Sequence, residues 1–134
     1  MIEDWIKNQF IKTISKFDRI ILCYIFGSVL KRDNYNDIDI GIVLKNIETP
    51  YYDWKYTSQV GLELESSINF SKIIDIKDLN HCPIYFQFNV IKNGELIYYK
   101  DEKTRIKYET KIINLYLDYK EMYNWFQTQI LERK

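Results

Sequence analysis

Two aspartates spaced two residues apart, Asp37 and Asp39, are the residues of this sequence most suited to chemistry. Alternate residues of a strand project to the same face, so both carboxylates would point to one place while Ile38 and Ile40 enter the core. Neighbouring carboxylates repel each other unless a cation lies between them, and hard oxygen ligands suit Mg²⁺. The pair therefore predicts a metal site at the end of a strand.

A glycine and a serine, Gly27 and Ser28, lie a short loop upstream of this pair. Gly27 follows an apolar run and lets the backbone approach an anion, while the Ser28 hydroxyl can donate a hydrogen bond to a phosphate oxygen. Ser28 also stands where a short helix would begin, and a helix N-terminus favours negative charge. Each signal alone is weak, but together they indicate nucleotide chemistry.

The elements that must position these residues follow from hydrophobic periodicity and from helix start and stop signals. We expect strands at residues 19–26, 37–44, 71–76 and 95–99. We expect helices at residues 2–17, 50–68, 83–93 and 102–131. Thr49-Pro50 is a capped helix start, and Asn93-Gly94 suits a left-handed helix end. The order predicts an α+β fold, a small sheet covered by helices, in one domain over residues 1–134.

Composition narrows the class of protein further. The chain has 134 residues, 46% of them hydrophobic, which argues against disorder. Its 19 basic and 19 acidic residues cancel, so a direct nucleic-acid partner is not expected. No apolar run approaches the roughly 20 residues that span a bilayer, and the acidic N-terminus is unlike a signal peptide. With Cys23 and Cys82 as reduced thiols, we expect a cytoplasmic protein that does not enter membranes.

The stretch from Phe26 to Ile40 resembles the signature of the minimal nucleotidyltransferase family, Gly-Ser followed by a spacer and Asp-x-Asp. Ile74-Asp75-Ile76 is similar to the later strand that carries the family's third metal carboxylate. The final strand and the long last helix are similar too, so the resemblance covers most of the chain. It implies a polymerase beta-like fold, a small mixed sheet flanked by helices with a long C-terminal helix. It also implies transfer of a nucleoside monophosphate from a nucleoside triphosphate to an acceptor.

The resemblance implies a role for each matching residue. The three carboxylates would be catalytic and would hold two Mg²⁺ ions: Asp37, Asp39 and Asp75. The triphosphate of ATP would be bound by Gly27 and Ser28, and Lys31 stands where the family often has a basic residue. Asp78 is close enough to Asp75 to be the third ligand instead.

The sequence departs from the family's pattern in the spacer. Eight residues separate Ser28 from Asp37, fewer than is usual. Arg32 stands where glycine is common, and Asn36 replaces a frequent serine. All three carboxylate positions remain filled, so catalysis is still expected.

Two other features have simpler explanations. His81, beside Cys82, is expected to be a surface residue near a helix start rather than a metal ligand, because no zinc-like Cys/His spacing accompanies it. The last helix carries two apolar stripes. One contains Tyr108, Ile112, Leu115, Tyr119, Met122 and Phe126; the other contains Ile106, Ile113, Tyr116, Tyr123 and Ile130. Core packing is the expected role of one stripe, and a protein interface would also explain so wide a surface.

Small single-domain proteins of this family are commonly antitoxins paired with a helical HEPN-domain toxin. The resemblance therefore implies Mg²⁺-dependent transfer of AMP from ATP to a hydroxyl, that of a tyrosine, on a partner HEPN toxin in a hetero-oligomer. Two alternatives stay open. The chain could neutralise the toxin by binding alone, or it could modify a small molecule, as aminoglycoside nucleotidyltransferases do.

Overall fold

A four-stranded mixed sheet forms the centre of the computed structural model, which describes residues 2–30 and 35–131. The strands are β1 Ile20–Phe26, β2 Asp37–Leu44, β3 Ile73–Asp78 and β4 Glu95–Tyr99, in the spatial order β3-β2-β1-β4. β1 pairs antiparallel with β2 and β4, whereas β2 and β3 are parallel. The predicted α+β class with a small mixed sheet is confirmed, although β3 begins and ends two residues later than predicted.

The described ranges contain four α-helices and two short 3₁₀ turns. The helices are α1 Asp4–Ile14, α2 Pro50–Ser67, α3 Ile84–Asn93 and α4 Glu102–Leu131, and the 3₁₀ turns are Gly27–Leu30 and Leu79–His81. α1 ends earlier than predicted, at Ile14, with Phe17 beyond it. The predicted cap of α2 is confirmed, since the Thr49 hydroxyl accepts a hydrogen bond from the Tyr52 N–H at 3.4 Å.

The two faces of the sheet bury different side chains. Alternate residues of β2 point to opposite faces, which is why Ile38, Ile40 and Ile42 are wholly buried in the larger cluster with α1 and α2. The opposite face packs against α3 and α4, where Leu22 and Val43 are buried with Val90. Because helices cover both faces, the side chains that remain open to a ligand are those at the sheet's ends and edges.

Gly94, at the end of α3, is not in the predicted left-handed conformation. Its φ is −84° and its ψ is 175°, which is extended backbone. A glycine is needed there for space, because a Cβ atom would lie 2.5 Å from the Val90 carbonyl oxygen and 3.0 Å from that of Ile25. The close packing of α3 on β1 therefore depends on the missing side chain.

The long helix α4 packs on the rest of the protein only through its first half. Tyr108 donates a hydrogen bond to Gln87 of α3 at 2.7 Å, and Ile112 is only 3% exposed. Beyond Ile112 no residue from 113 to 130 is buried, although Tyr116 stacks on Phe88 at 3.8 Å. The expectation that core packing explains a whole stripe is wrong for residues 113–130, because none of them is buried and α3 contacts this stretch through the stacking of Phe88 on Tyr116.

The remaining composition-based expectations concern the cysteines and the membrane. Both cysteines are free, with Cys23 buried in β1 and Cys82 half-buried. Among the helices of the described ranges, none combines the length and apolar character that crossing a bilayer requires.

We predict that Gly94→Ala destabilises the protein by about 1–3 kcal/mol, because the added methyl group meets two backbone carbonyls that cannot rotate away. Urea unfolding followed by circular dichroism would measure the loss. The control is Lys92→Ala, an exposed position on the same helix, which should change the free energy of unfolding by less than about 0.5 kcal/mol. Equal stability of Gly94→Ala and the unsubstituted protein would contradict the packing argument.

Candidate active site

The first two predicted carboxylates lie at the beginning of β2, as the alternation of polar and apolar residues requires. Asp37 is exposed and Asp39 is partly buried, while Ile38 and Ile40 between and after them are wholly buried. The strand is held at this end by β3, since the Ile73 N–H donates to the Asn36 carbonyl at 3.1 Å. Both carboxylates therefore lie on the face of the sheet that α3 and α4 leave open at this end.

The third predicted carboxylate, Asp75, lies directly beside Asp39. The parallel pairing of β2 with β3 sets Asp39 opposite Asp75 and Asp37 opposite Ile73. β3 is an edge strand, and the Glu65 carboxylate of α2 accepts a hydrogen bond from the Ile74 N–H at 3.1 Å. Asp75 is exposed, with Lys77 Nζ 3.5 Å from its Oδ1. The structure thus brings Asp37, Asp39 and Asp75 to one end of the sheet.

The carboxylates of Asp37 and Asp75 repel that of Asp39. Burial raises the pKa of Asp39, and the negative charges of Asp75 and Asp37 raise it further. The positive charge of Lys77 opposes this rise but does not cancel it. Three acidic side chains with one exposed lysine carry a net negative charge, and their donors are all hard oxygens. This donor set fits Mg²⁺, which would relieve the repulsion around Asp39.

Gly27 stands where a side chain would fit only by displacing the Asp39 carboxylate. Its φ is +83°, in the left-handed region, and a Cβ atom there would overlap Oδ2 of Asp39 and lie 3.1 Å from its Cγ. Gly27 is the first residue of the first 3₁₀ turn, and the next residue, Ser28, is exposed. The backbone after β1 therefore lies close to the Asp39 carboxylate.

Two residues considered on sequence grounds, Lys31 and Arg32, lie outside the described residues. The chain is described again from Tyr35, whose buried ring packs in the core below β2. Lys72 fixes this point by donating from Nζ to the Tyr35 carbonyl at 2.7 Å. The start of β2 is thus anchored independently of the loop that precedes it.

Asp78, the alternative third ligand, lies in a different cluster. Burial raises the pKa of Asp78, and its side chain meets His81 and Asp53 rather than Asp39. The donor atoms of Asp53, Asp78 and His81 all lie within 4.8 Å of one another. In the described part of the chain, the carboxylates of Asp37, Asp39 and Asp75 do not meet that distance limit as a set.

Asp53, in the first turn of α2, is the centre of this second cluster and is fully buried. Arg19 donates to its Oδ1 at 2.7 Å, while His81 Nε2 and the Glu48 N–H lie 2.8 and 3.0 Å from its Oδ2. Burial alone would raise the pKa of Asp53, but the hydrogen bonds from Arg19, His81 and Glu48 outweigh it and lower the pKa. Sequence analysis missed this cluster, although the Asp-x-x-His spacing of residues 78–81 was a local signal for it.

The chain is similar to known proteins both in its sequence profile and in its fold. The sequence profile described as "Polymerase beta, Nucleotidyltransferase" matches residues 8–103. A comparison with curated proteins gave no match. Three similar solved structures are the toxin-antitoxin MntA-HepT, a tri-AMPylated Shewanella oneidensis HEPN toxin in complex with MNT antitoxin, and a toxin-antitoxin with AMP-PNP.

These structures resemble the chain in fold rather than in sequence. The MntA-HepT structure has a TM-score of 0.70 at 17% identity, covering 96% of this chain and 99% of that one. The Shewanella complex has a TM-score of 0.71 at 18% identity, covering 97% and 99%. The AMP-PNP complex has a TM-score of 0.71 at 18% identity, covering 93% and 98%. The predicted polymerase beta-like fold is confirmed along nearly the whole chain.

We predict that Asp39→Asn weakens the binding of Mn²⁺, used as a paramagnetic substitute for Mg²⁺, by about tenfold or more, because it removes a charged ligand from the site. Electron paramagnetic resonance of free Mn²⁺ would measure the affinity. Gly27→Ala should weaken binding as well, since its methyl group displaces the Asp39 carboxylate. The matched control is Asp118→Asn, an exposed carboxylate on α4. Unchanged affinity in Asp39→Asn would remove this residue from the metal site.

Proposed function

Since the chain belongs to the polymerase beta nucleotidyltransferase family, we propose that it transfers AMP from ATP to a tyrosine hydroxyl of a HEPN toxin and acts as an antitoxin. The observation that carries this proposal is the contact of Gly27 with the Asp39 carboxylate, with Asp75 opposite. This contact would place the proposed phosphate cradle beside the proposed metal site. We further propose that residues 1–134 work as one domain in the cytoplasm, where ATP and Mg²⁺ are both supplied.

We propose that Asp37, Asp39 and Asp75 hold two Mg²⁺ ions. When bound, such ions neutralise phosphate charge and orient the reacting oxygens. Asp39 suits this role because burial and the charges of Asp75 and Asp37 raise its pKa, so a cation would stabilise its charged form. Lys77, on the same face of β3 as Asp75, adds a positive charge at the edge where the acceptor would arrive.

The bonds formed and broken define what the residues must do. The acceptor hydroxyl oxygen forms a bond to the α-phosphorus of ATP, the bond from that phosphorus to the bridging oxygen breaks, and pyrophosphate leaves. The hydroxyl proton goes to Asp75, which is exposed on an edge strand and so is open to an acceptor from outside. Holding the reactants in line at this edge is the main contribution of the sheet.

A cavity that Gly27 helps to line is the proposed place for the nucleotide. It has a volume of about 190 Å³, and its other lining residues include Phe26, Phe86, Asn89 and Asn93. We propose that the base enters this cavity while Gly27 and Ser28 bind the triphosphate. Lys31 is proposed as a further phosphate contact from its sequence position.

The partner is supported by the relatives and by α4. The similar solved structures include toxin-antitoxin complexes. In one of them, a HEPN toxin bound to an MNT antitoxin is tri-AMPylated. In this chain the second half of α4 carries nine large exposed apolar side chains: Ile113, Leu115, Leu117, Tyr119, Met122, Tyr123, Trp125, Phe126 and Ile130. So large an apolar surface is rare on a protein without a partner. We propose that this surface binds the toxin in a hetero-oligomer.

Mass spectrometry of the toxin tests the transfer. With ATP and Mg²⁺ the chain should add one or more AMP residues to the toxin, and the double variant Asp37→Asn, Asp39→Asn should reduce the rate by about 100-fold or more because it removes metal ligands. Asp118→Asn is the control and should transfer at the normal rate.

Two further measurements, made with the same variants, separate the two alternatives. If the double variant still neutralises the toxin in cells and no AMP is added by the unsubstituted protein, the chain acts by binding alone. If AMP is transferred to an aminoglycoside without any toxin present, the substrate is a small molecule. Either result contradicts the proposed function.

We predict that Asp75→Asn reduces AMP transfer by about 100-fold or more, whereas Asp78→Asn reduces it by less than about tenfold. The register of β3 places Asp75 opposite Asp39, while Asp78 belongs to the cluster with Asp53 and His81. Initial rates with saturating Mg²⁺ would give the comparison. A larger loss in Asp78→Asn would assign the third carboxylate to Asp78.

We predict that Trp125→Ala weakens the complex with the toxin by about tenfold or more, because buried tryptophans often dominate interfaces. Trp5→Ala is the matched control, since Trp5 of α1 is 49% exposed and Trp125 is 61% exposed. Isothermal titration calorimetry measures both affinities. Equal affinities of the two variants would show that the toxin binds elsewhere, and self-association of the chain through α4 in sedimentation would show that a second copy covers this surface.

A further inference from the structure

The cluster of Asp53, Asp78 and His81 has the geometry of a metal site that the proposed transfer does not use. His81 Nε2 lies 2.8 Å from Asp53 Oδ2 and 3.6 Å from Asp78 Oδ2. Ligand atoms about 2.1 Å from a tetrahedral ion lie about 3.4 Å from one another. The distance from His81 to Asp78 is close to this spacing, the distance from His81 to Asp53 is shorter, and all three donor atoms lie within 4.8 Å of one another.

An unsatisfied oxygen provides a second and independent observation. The side chain of Asp78 is only 10% exposed, and its Oδ2 has no hydrogen-bond partner in the described part of the chain. Its other oxygen accepts from the Asn80 N–H at 3.2 Å. A buried polar atom without a partner is costly and calls for an explanation such as an ion. This atom is also one of the three donors of the cluster.

Two carboxylates, those of Asp53 and Asp78, meet in this cluster, and Arg19 contacts Asp53 through its Oδ1. That contact leaves Oδ2 on the His81 side. A cation between the two carboxylates and His81 would stabilise the charged form of both carboxylates.

We propose that Asp53, Asp78 and His81 form a second divalent-cation site, separate from the Asp37, Asp39 and Asp75 site, that takes a transition metal such as Zn²⁺. One imidazole nitrogen and two carboxylate oxygens suit Zn²⁺ better than Mg²⁺, which prefers oxygen ligands alone. The Nε2 lone pair becomes available when the ring proton is on Nδ1, so the metal replaces the present contact between His81 and Asp53.

The position of the site indicates what it does and how an ion reaches it. A cavity of about 340 Å³ is lined by His81, Asp78, Asp75 and Trp54, so an ion would reach the buried carboxylates from the His81 side of the cluster. An ion there would join α2 to the end of β3, the strand that carries Asp75. The site therefore positions the edge strand and does not itself touch the reacting groups.

Cobalt binding tests this site directly. The full chain is titrated with Co²⁺ in millimolar Mg²⁺, so that Mg²⁺ fills the site that has only oxygen ligands. We expect one Co²⁺ per chain, visible d–d bands of low coordination number, and their loss on adding Zn²⁺. His81→Gln and Asp78→Asn should each weaken Co²⁺ binding by about 100-fold or more, whereas the double variant Asp37→Asn, Asp39→Asn should keep the bands.

Three results would overturn the proposal. The first is the absence of the bands in folded protein, checked by circular dichroism. The second is bands that survive in both His81→Gln and Asp78→Asn, and the third is their loss in the Asp37→Asn, Asp39→Asn variant. Using Asp78→Asn beside His81→Gln keeps the test decisive if one of them does not fold. No AMP transfer is measured, so the outcome is independent of the proposed function.

Discussion

The contact between the Gly27 backbone and the Asp39 carboxylate is the constraint on which the rest of the site depends. A side chain at residue 27 would occupy the space of the carboxylate, and the positive φ turns the chain sharply after β1. This turn starts the 3₁₀ segment and directs Ser28 to the same end of the sheet. The positions of the Asp39 carboxylate and of the backbone at Gly27 therefore constrain each other.

The alternation of strand residues gives β3 two roles at once. Asp75 and Lys77 point to the open face beside Asp39, while Asp78 turns toward α2 and meets Asp53 and His81. A shift of register by one residue would exchange these faces, placing Ile76 beside Asp39. Hydrogen bonds near both ends of β3 oppose such a shift. Near its start the Ile74 N–H donates to the Glu65 carboxylate, and just after its end Asn80 Oδ1 accepts from the Leu44 N–H at 2.7 Å. The parallel pairing with β2 thus decides which acid meets which neighbours.

Most of the fold could be predicted because local and global signals agree. The alternation in β2, the cap at Thr49 and the uninterrupted helical pattern of α4 each depend on residues close in sequence, and the structure contains all three elements. Gly94 was predicted wrongly because an Asn-Gly pair suggests a left-handed turn, whereas its real constraint is the distance to carbonyls of α3 and β1. The cluster of Asp53 with His81 was missed for a similar reason. Its members are 28 residues apart, and only the packing of α2 on β3 brings them together.

Two regions of the described chain are exposed: the edge strand that carries Asp75 and the second half of α4. The end of the sheet supplies acidic side chains and a close backbone, and Asp75 is exposed there on an edge strand. The second half of α4 leaves the domain and is apolar for several turns, at a cost in solvation that packing within the described chain does not offset. In the proposed complex, the toxin would cover the helix and bring its hydroxyl to this edge. The proposed transfer would then proceed only inside the complex, because the group to be modified arrives with the partner.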